Sequence, residues 1–173
     1  NPTRSTEVNA LINAVKKKEV RRQGKASKAD RAFEKEEFEQ AVAILETFPD
    51  TRRRYMYPAI FKFQLHLIAR LDDSCHMRKD ALKACSEFDF ALMTRLPWSK
   101  NVHEERDAPE QIMLAAMDPR YCIQLAFAIF LEVWIESGDG RLGDYVFCVA
   151  GSEPETAKAN AYTALSNVLD GNE

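Results

Sequence analysis

Arg70 stands near the C-terminal end of the apolar run Ile60-Phe-Lys-Phe-Gln-Leu-His-Leu-Ile-Ala-Arg-Leu-Asp-Asp73, with an acid, Asp73, three residues after it. Some thirty positions on comes Trp98-Ser-Lys-Asn-Val-His-Glu-Glu-Arg-Asp-Ala-Pro109, a polar stretch with Lys100 near its tip and Arg106 and Pro109 on its exit. A fixed arginine donates planar, paired hydrogen bonds and keeps its charge, which suits a pentacoordinate phosphate. A lysine in a turn can give up its proton, which suits a general acid for a leaving oxygen. An apolar run ending in an arginine predicts that Arg70 is buried on a helix.

The elements that would position these residues are read from periodicity. Ser5 to Gln23 places Val8, Leu11, Ile12 and Val15 at helical spacing, with basic residues at its C-terminal end, where they complement the helix dipole. Gly24 ends that helix, and Gly24-Lys-Ala-Ser-Lys-Ala-Asp30 is a polar linker. A second helix begins near Phe33-Glu34 with Phe38, Ala41, Val42, Leu45 and Phe48 on one face, and Pro49-Asp50 stops it. Pro58 is expected to open a helix through Leu71 that is central to the core. Helical periodicity fades from Ser74 to Ile112, where segments 88–96 and 106–113 fit two short strands around a polar turn. Pro97 and Pro109 confine those strands to edges. Asp118-Pro119 should start a buried helix reaching Ser137, Asp144 to Phe147 a short extended piece, and Glu155 to Leu169 the last helix. The fold class is therefore mainly α with a small β-hairpin or short antiparallel sheet. Two parts are expected: a basic helix and linker over 1–32 and a domain over 33–173.

The charge is unevenly distributed. The net value is −3, yet residues 1–35 hold ten basic and four acidic side chains, a net of +6 against −9 for the remainder. Such asymmetry points to a partner for the basic lead-in, where Lys16, Lys17, Lys18, Arg21, Arg22, Lys25 and Lys28 cluster. A solvated helix face is the plainer alternative. With 46% hydrophobic and 29% charged residues the composition is that of a globular domain. The longest apolar stretch, Ile123 to Ile135, is too short to span a bilayer, so no membrane is expected. Cys75, Cys85, Cys122 and Cys148 form no C-x-x-C pair and read as free thiols, mostly buried, which implies a reducing, intracellular setting. His66, His76 and His103 share no metal-ligand spacing with them, so neither a metal nor a cofactor is expected. The chain starts at Asn1 rather than methionine, which reads as a piece of something longer.

The order of these features resembles the first half of a tyrosine recombinase catalytic domain, the family of DNA strand-exchange enzymes. The sequence is most similar to eukaryotic Crypton-type mobile elements and proteins derived from them. By that resemblance Arg70 corresponds to the first catalytic arginine, Asp73 to the supporting acid three positions on, and Lys100 to the hairpin lysine. Glu105-Arg106 and Pro109 resemble the second hairpin strand, and Tyr145-Val-Phe147 the hydrophobic segment before the later helices. Residues 1–32 would then close the core-binding region, and 33–173 would form the N-terminal part of a truncated catalytic domain. His103-Glu-Glu-Arg106 matches the family's His-x-x-Arg literally but comes too early. Tyr145 and Tyr162 are likewise too early for the nucleophile and read as core and as a packed helix residue.

The resemblance implies double-stranded DNA as partner, a nuclear location, homo-oligomerisation in a full-length parent, and no catalysis by this chain alone. Two alternatives stay open: a domesticated, catalytically dead module that binds DNA or protein, and an unrelated helical interaction domain.

Overall fold

The computed structural model describes residues 34–96, 108–137, 143–148 and 152–169. The helices and strands of the described residues belong to one unit, Lys35–Glu173. The basic lead-in, including Lys16, Lys17, Lys18, Arg21, Arg22, Lys25 and Lys28, lies outside the described residues, as does Lys100.

Helix α1, Lys35–Leu45, carries Glu36 and Glu37 in its first turn, where carboxylates meet the positive end of the dipole. Its buried face is Phe38, Ala41, Val42 and Leu45, the i, i+3, i+4, i+7 set read from the sequence. Helix α2, Thr51–Leu67, begins earlier than Pro58 would place it. Asp50 supplies the start: its carboxylate accepts the Arg53 N–H at 2.8 Å. Pro58 therefore lies inside the helix, where it removes one backbone donor. The burial of all eight residues from Met56 to Phe63 opposes that cost. Lys62 is among them, and its ammonium ends 3.9 Å from Glu46 Oε1. Helix α2 stops at Leu67, short of the expected Leu71, because Ile68 turns into the left-handed region at φ 52°.

A short helix α3, Leu71–Cys75, and a 3₁₀ turn, Lys79–Ala81, lead into a three-stranded antiparallel sheet. Its strands are β1 Lys83–Ala84, β2 Leu92–Arg95 and β3 Glu110–Met113, in the order β1-β2-β3. Leu92 pairs with Met113 and Arg95 with Glu110, so the two expected strands do pair, but β2 is the central strand and not an edge, because it ends at Arg95, short of Pro97. Strand β1 was not legible: two exposed residues carry no alternation.

Helix α4, Ile123–Glu136, packs on α2 through Ile123, Phe127, Phe130 and Trp134. Asp118 does not start it; Asp118 instead folds back on Arg120, and the Cys122 sulfur accepts the Leu125 N–H at 3.4 Å as the cap. Nor is α4 buried on all sides, since Leu125 is 43%, Ile129 39% and Ile135 64% exposed. Phe147 fills the gap between the two helices, with its ring 5.5 Å from Phe127, 5.9 Å from Phe63 and 5.9 Å from Phe130. The extended piece around it reduces to one bridge, Arg78 to Tyr145, supported by Val146 N–H to Met77 O at 2.9 Å. Helix α5, Pro154–Leu169, lies against α1 and α3. Tyr145 is partly buried beside Cys75 and Cys148, whereas Tyr162 is 66% exposed, not packed. No described helix is long and apolar enough to cross a membrane.

Candidate nucleic-acid interface

Arg70 owes its position to the end of α2. The Ile68 N–H returns to Gln64 O, the chain reverses, and Arg70 becomes the N-cap residue of α3 at φ −79°, ψ 159°. Its own N–H donates to Asp73 Oδ2 at 3.0 Å, and the Ser74 hydroxyl donates to its carbonyl at 2.9 Å. This is half of a capping box, because a guanidinium has no acceptor to offer the helix N–H groups. The backbone of Arg70 is thus held while its side chain is exposed. The burial expected from the apolar run is incorrect: Leu67 ends the helix three residues before the arginine. Asp73 is 7% exposed and is the residue that fixes the Arg70 backbone.

Two further basic positions lie on the sheet. Lys83 on β1 and Arg95 on β2 line an open concavity of about 710 Å³, together with Asp80, Ala81, Met93, Thr94 and Glu110. Arg95 is paired with Glu110 at 2.6 Å across β2 and β3. Arg78 is paired with Asp80 at 2.9 Å, which holds the Asp80 carboxyl below its usual range. The concavity is therefore nearly charge-balanced. Lys100 belongs in sequence to the connection between β2 and β3, and its distance from Arg70 falls outside the described residues.

A cluster that the sequence did not suggest ties α3 to α5. Asp72, His76 and Glu155 bring ligand-type atoms within 4.8 Å of one another. Lys158 reaches the same place, its Nζ 2.6 Å from Asp72 Oδ1 and 3.3 Å from Glu155 Oε2, and these bonds raise its pKa. His76 Nδ1 lies 2.9 Å from Asp72 O, which places the ring proton on that nitrogen. With an ammonium already between the carboxylates, the cluster is an ion-paired clasp rather than a metal centre. Histidine–cysteine spacing carries no trace of it; its one sequence signal is the i, i+4 spacing of Asp72 and His76.

The four cysteines are free, and Cys75, Cys122 and Cys148 are buried, as expected. Burial pushes the Cys75 thiol up to about 12 and that of Cys148 to about 11. Neither is a nucleophile near neutral pH.

No protein-family model matches the chain, and no curated protein matches it.

Proposed function

We propose that the chain is a DNA-binding fragment of a tyrosine recombinase or transposase-like protein, acting on double-stranded DNA in the nucleus. The observation that carries this reading is an exposed arginine, Arg70, whose backbone is fixed by Asp73 and which precedes a small antiparallel sheet. The β2–β3 connection of that sheet contains Lys100 in its sequence. In this reading Arg70 contacts a phosphate, Lys100 serves the leaving oxygen, and the basic lead-in supplies most of the affinity by displacing counterions. Strand exchange would belong to an oligomeric full-length parent, and the chain alone would cleave no DNA.

The test is anisotropy of a labelled duplex over a salt series. Affinity should fall steeply with salt, and charge reversal of Lys16, Lys17, Lys18, Arg21 and Arg22 should weaken binding to all sequences and flatten that dependence. Affinity unaltered by the reversal would refute the role given to the lead-in. A covalent protein–DNA adduct trapped on a nicked duplex would refute the inactive-fragment reading.

A second reading, a catalytically dead DNA- or protein-binding module, is favoured by the acids that neutralise Arg78 and Arg95 around the sheet. It predicts that binding survives Arg70→Ala and Lys100→Ala unchanged. An unrelated helical interaction domain would bind no duplex at physiological salt.

A further inference from the structure

Helix α4 packs inward against α2, but its solvent side is not that of an ordinary surface helix. Leu125, Ala128, Ile129 and Glu132 follow at i, i+3, i+4 and i+7, all exposed, and Glu136 continues the same stripe. A surface helix fills such a stripe with polar groups, whereas this one begins with three apolar positions.

The tip of the β1–β2 hairpin adjoins the first turn of α4. The Cys85 N–H closes the tip on Ala91 O at 2.9 Å, and the Ala91 N–H turns back to Phe88 O at 3.2 Å. Phe90 sits in the left-handed region at φ 65° and is 92% exposed. A strained aromatic residue with no burial to offset the strain points to a use outside the fold. Gln124 of α4 donates through Nε2 to Phe90 O and, at 2.9 Å, to Met113 O, so the tip is tied to the start of α4. Phe88 is exposed beside it.

The charges on this surface are of one sign. Glu87 and Asp89 alternate with the two phenylalanines, and Glu132 and Glu136 lie on the α4 stripe. All four are exposed, and none has an ion-pair partner among the described residues. The described cations nearest in sequence face other acids: Lys83 lines the sheet concavity with Asp80 and Glu110, and Arg120 is held by Asp118 and Glu39.

Charge decides between occupants of such a face. A second copy across a two-fold axis would set carboxylate against carboxylate, because the same patch is contributed by both chains. Anionic lipid and DNA phosphate would be repelled. A helix that carries lysines or arginines beside its own apolar stripe matches both the apolar and the charged groups.

We infer that the outer face of α4 and the adjoining hairpin tip dock a basic amphipathic helix of a partner protein. At 1.5 Å per residue the 14 residues of α4 offer a track of about 21 Å, which spans about four turns of such a helix. Leu125 and Ile129 take the partner's apolar stripe, Phe90 covers one end of it, and the carboxylates pair with its cations. The surface uses none of the residues assigned to DNA and is independent of that assignment.

Anisotropy of a labelled synthetic peptide of about 18 residues, or about five helical turns, reads the site on the full chain. The peptide has leucines at i, i+3, i+4 and i+7 spacing and lysines elsewhere. Saturable binding is expected, and a peptide of the same composition in scrambled order should bind about tenfold more weakly. Leu125→Ser combined with Ile129→Ser should weaken binding by about tenfold or more. Glu132→Lys should weaken it about fivefold, and Glu36→Lys, an equal change of charge on α1, should leave it unaltered. All the substituted positions are exposed, so the core of each variant is intact. Absence of saturable binding overturns the proposal. Equal affinity for the scrambled peptide, or equal loss in Glu132→Lys and Glu36→Lys, also overturns it by reducing the binding to bulk charge attraction. Sedimentation that reveals a dimer dissolved by Ile129→Ser would assign the face to a second copy and overturn the proposal as well.

Discussion

The two ends of helix α2 solve the same problem by opposite means. At the N-terminal end Asp50 caps the helix with its side chain, and Arg54 Nε adds a bond to Phe48 O at 2.8 Å. At the C-terminal end the cap is backbone alone, and it requires a β-branched residue, Ile68, at φ 52° with 93% of its surface exposed. Glycine is the residue that adopts this conformation without strain. One end is locally favourable; the other is imposed by the chain reversal that presents Arg70 outward at the start of α3. Strain next to an exposed cation is compatible with a functional origin for that end.

The comparison breaks most readily at Asp73. Asp73→Ala removes the acceptor of the Arg70 N–H from a buried place, and a urea melt should show a loss of about 2 kcal/mol. Arg70→Ala should cost less than ~0.5 kcal/mol, as for an ordinary surface substitution. Equal, large losses would mean that the arginine is a structural partner of a nearby acid, and its functional role would fall.

Asp50→Ala tests the favourable end, with about 1 kcal/mol expected for a lost N-cap. Ile68→Gly tests the strained one and should run the other way. Relief of the left-handed conformation, less the entropy glycine gains when unfolded, should leave the variant about 0.5 kcal/mol more stable. A destabilised Ile68→Gly would show that the exposed side chain has a folding role which its surroundings do not reveal.

The smallest contrast lies in alkali. Burial raises the pKa of Cys75, just past the C-terminal end, from 9.0 to about 12, and raises that of Tyr57, near the other end, above 10.0. In both cases the folded chain holds its proton more tightly than the unfolded chain. Stability is therefore full below the unfolded value and falls as pH rises through it. The thiol should respond first, so urea midpoints should begin to drop just above pH 9, with the phenol adding to the slope above pH 10. Cys75→Ala should reduce the first component, leaving the share of Cys148, whose buried thiol is also raised, and should leave the second unchanged. A drop near pH 9 that is undiminished in Cys75→Ala would assign it to Cys148 alone.

How much was legible depended on whether a signal was local. The apolar face of α1 is a local periodicity, and four of its five expected positions are buried on the helix, whereas Phe48 falls beyond Leu45 and is only partly buried. The β2–β3 pair was legible because two short runs flank a polar turn. Pro58 misled because a proline is best placed in a first turn, yet a residue buried from all sides can be carried inside a helix. Arg70 misled because the hydrophobic pattern continues past Leu67, whereas the helix does not; nothing in an isoleucine announces a left-handed turn. Helix α4 looked buried all round, but its Leu125, Ile129 and Ile135 face is exposed.

The wedge made by Phe147 also governs the order in which the chain can assemble. Helices α1 and α2 are neighbours in sequence and can meet early, but the rings that complete the Phe63 face arrive only with α4 and, last, with Phe147 itself. Closing so long a loop is entropically slow, and until it closes the aromatic face of α2 stands open to other chains. During synthesis the molecule must pass through that state, so Phe147→Ala should be recovered in poor yield through aggregation of its half-closed form, even under conditions in which the finished variant is folded.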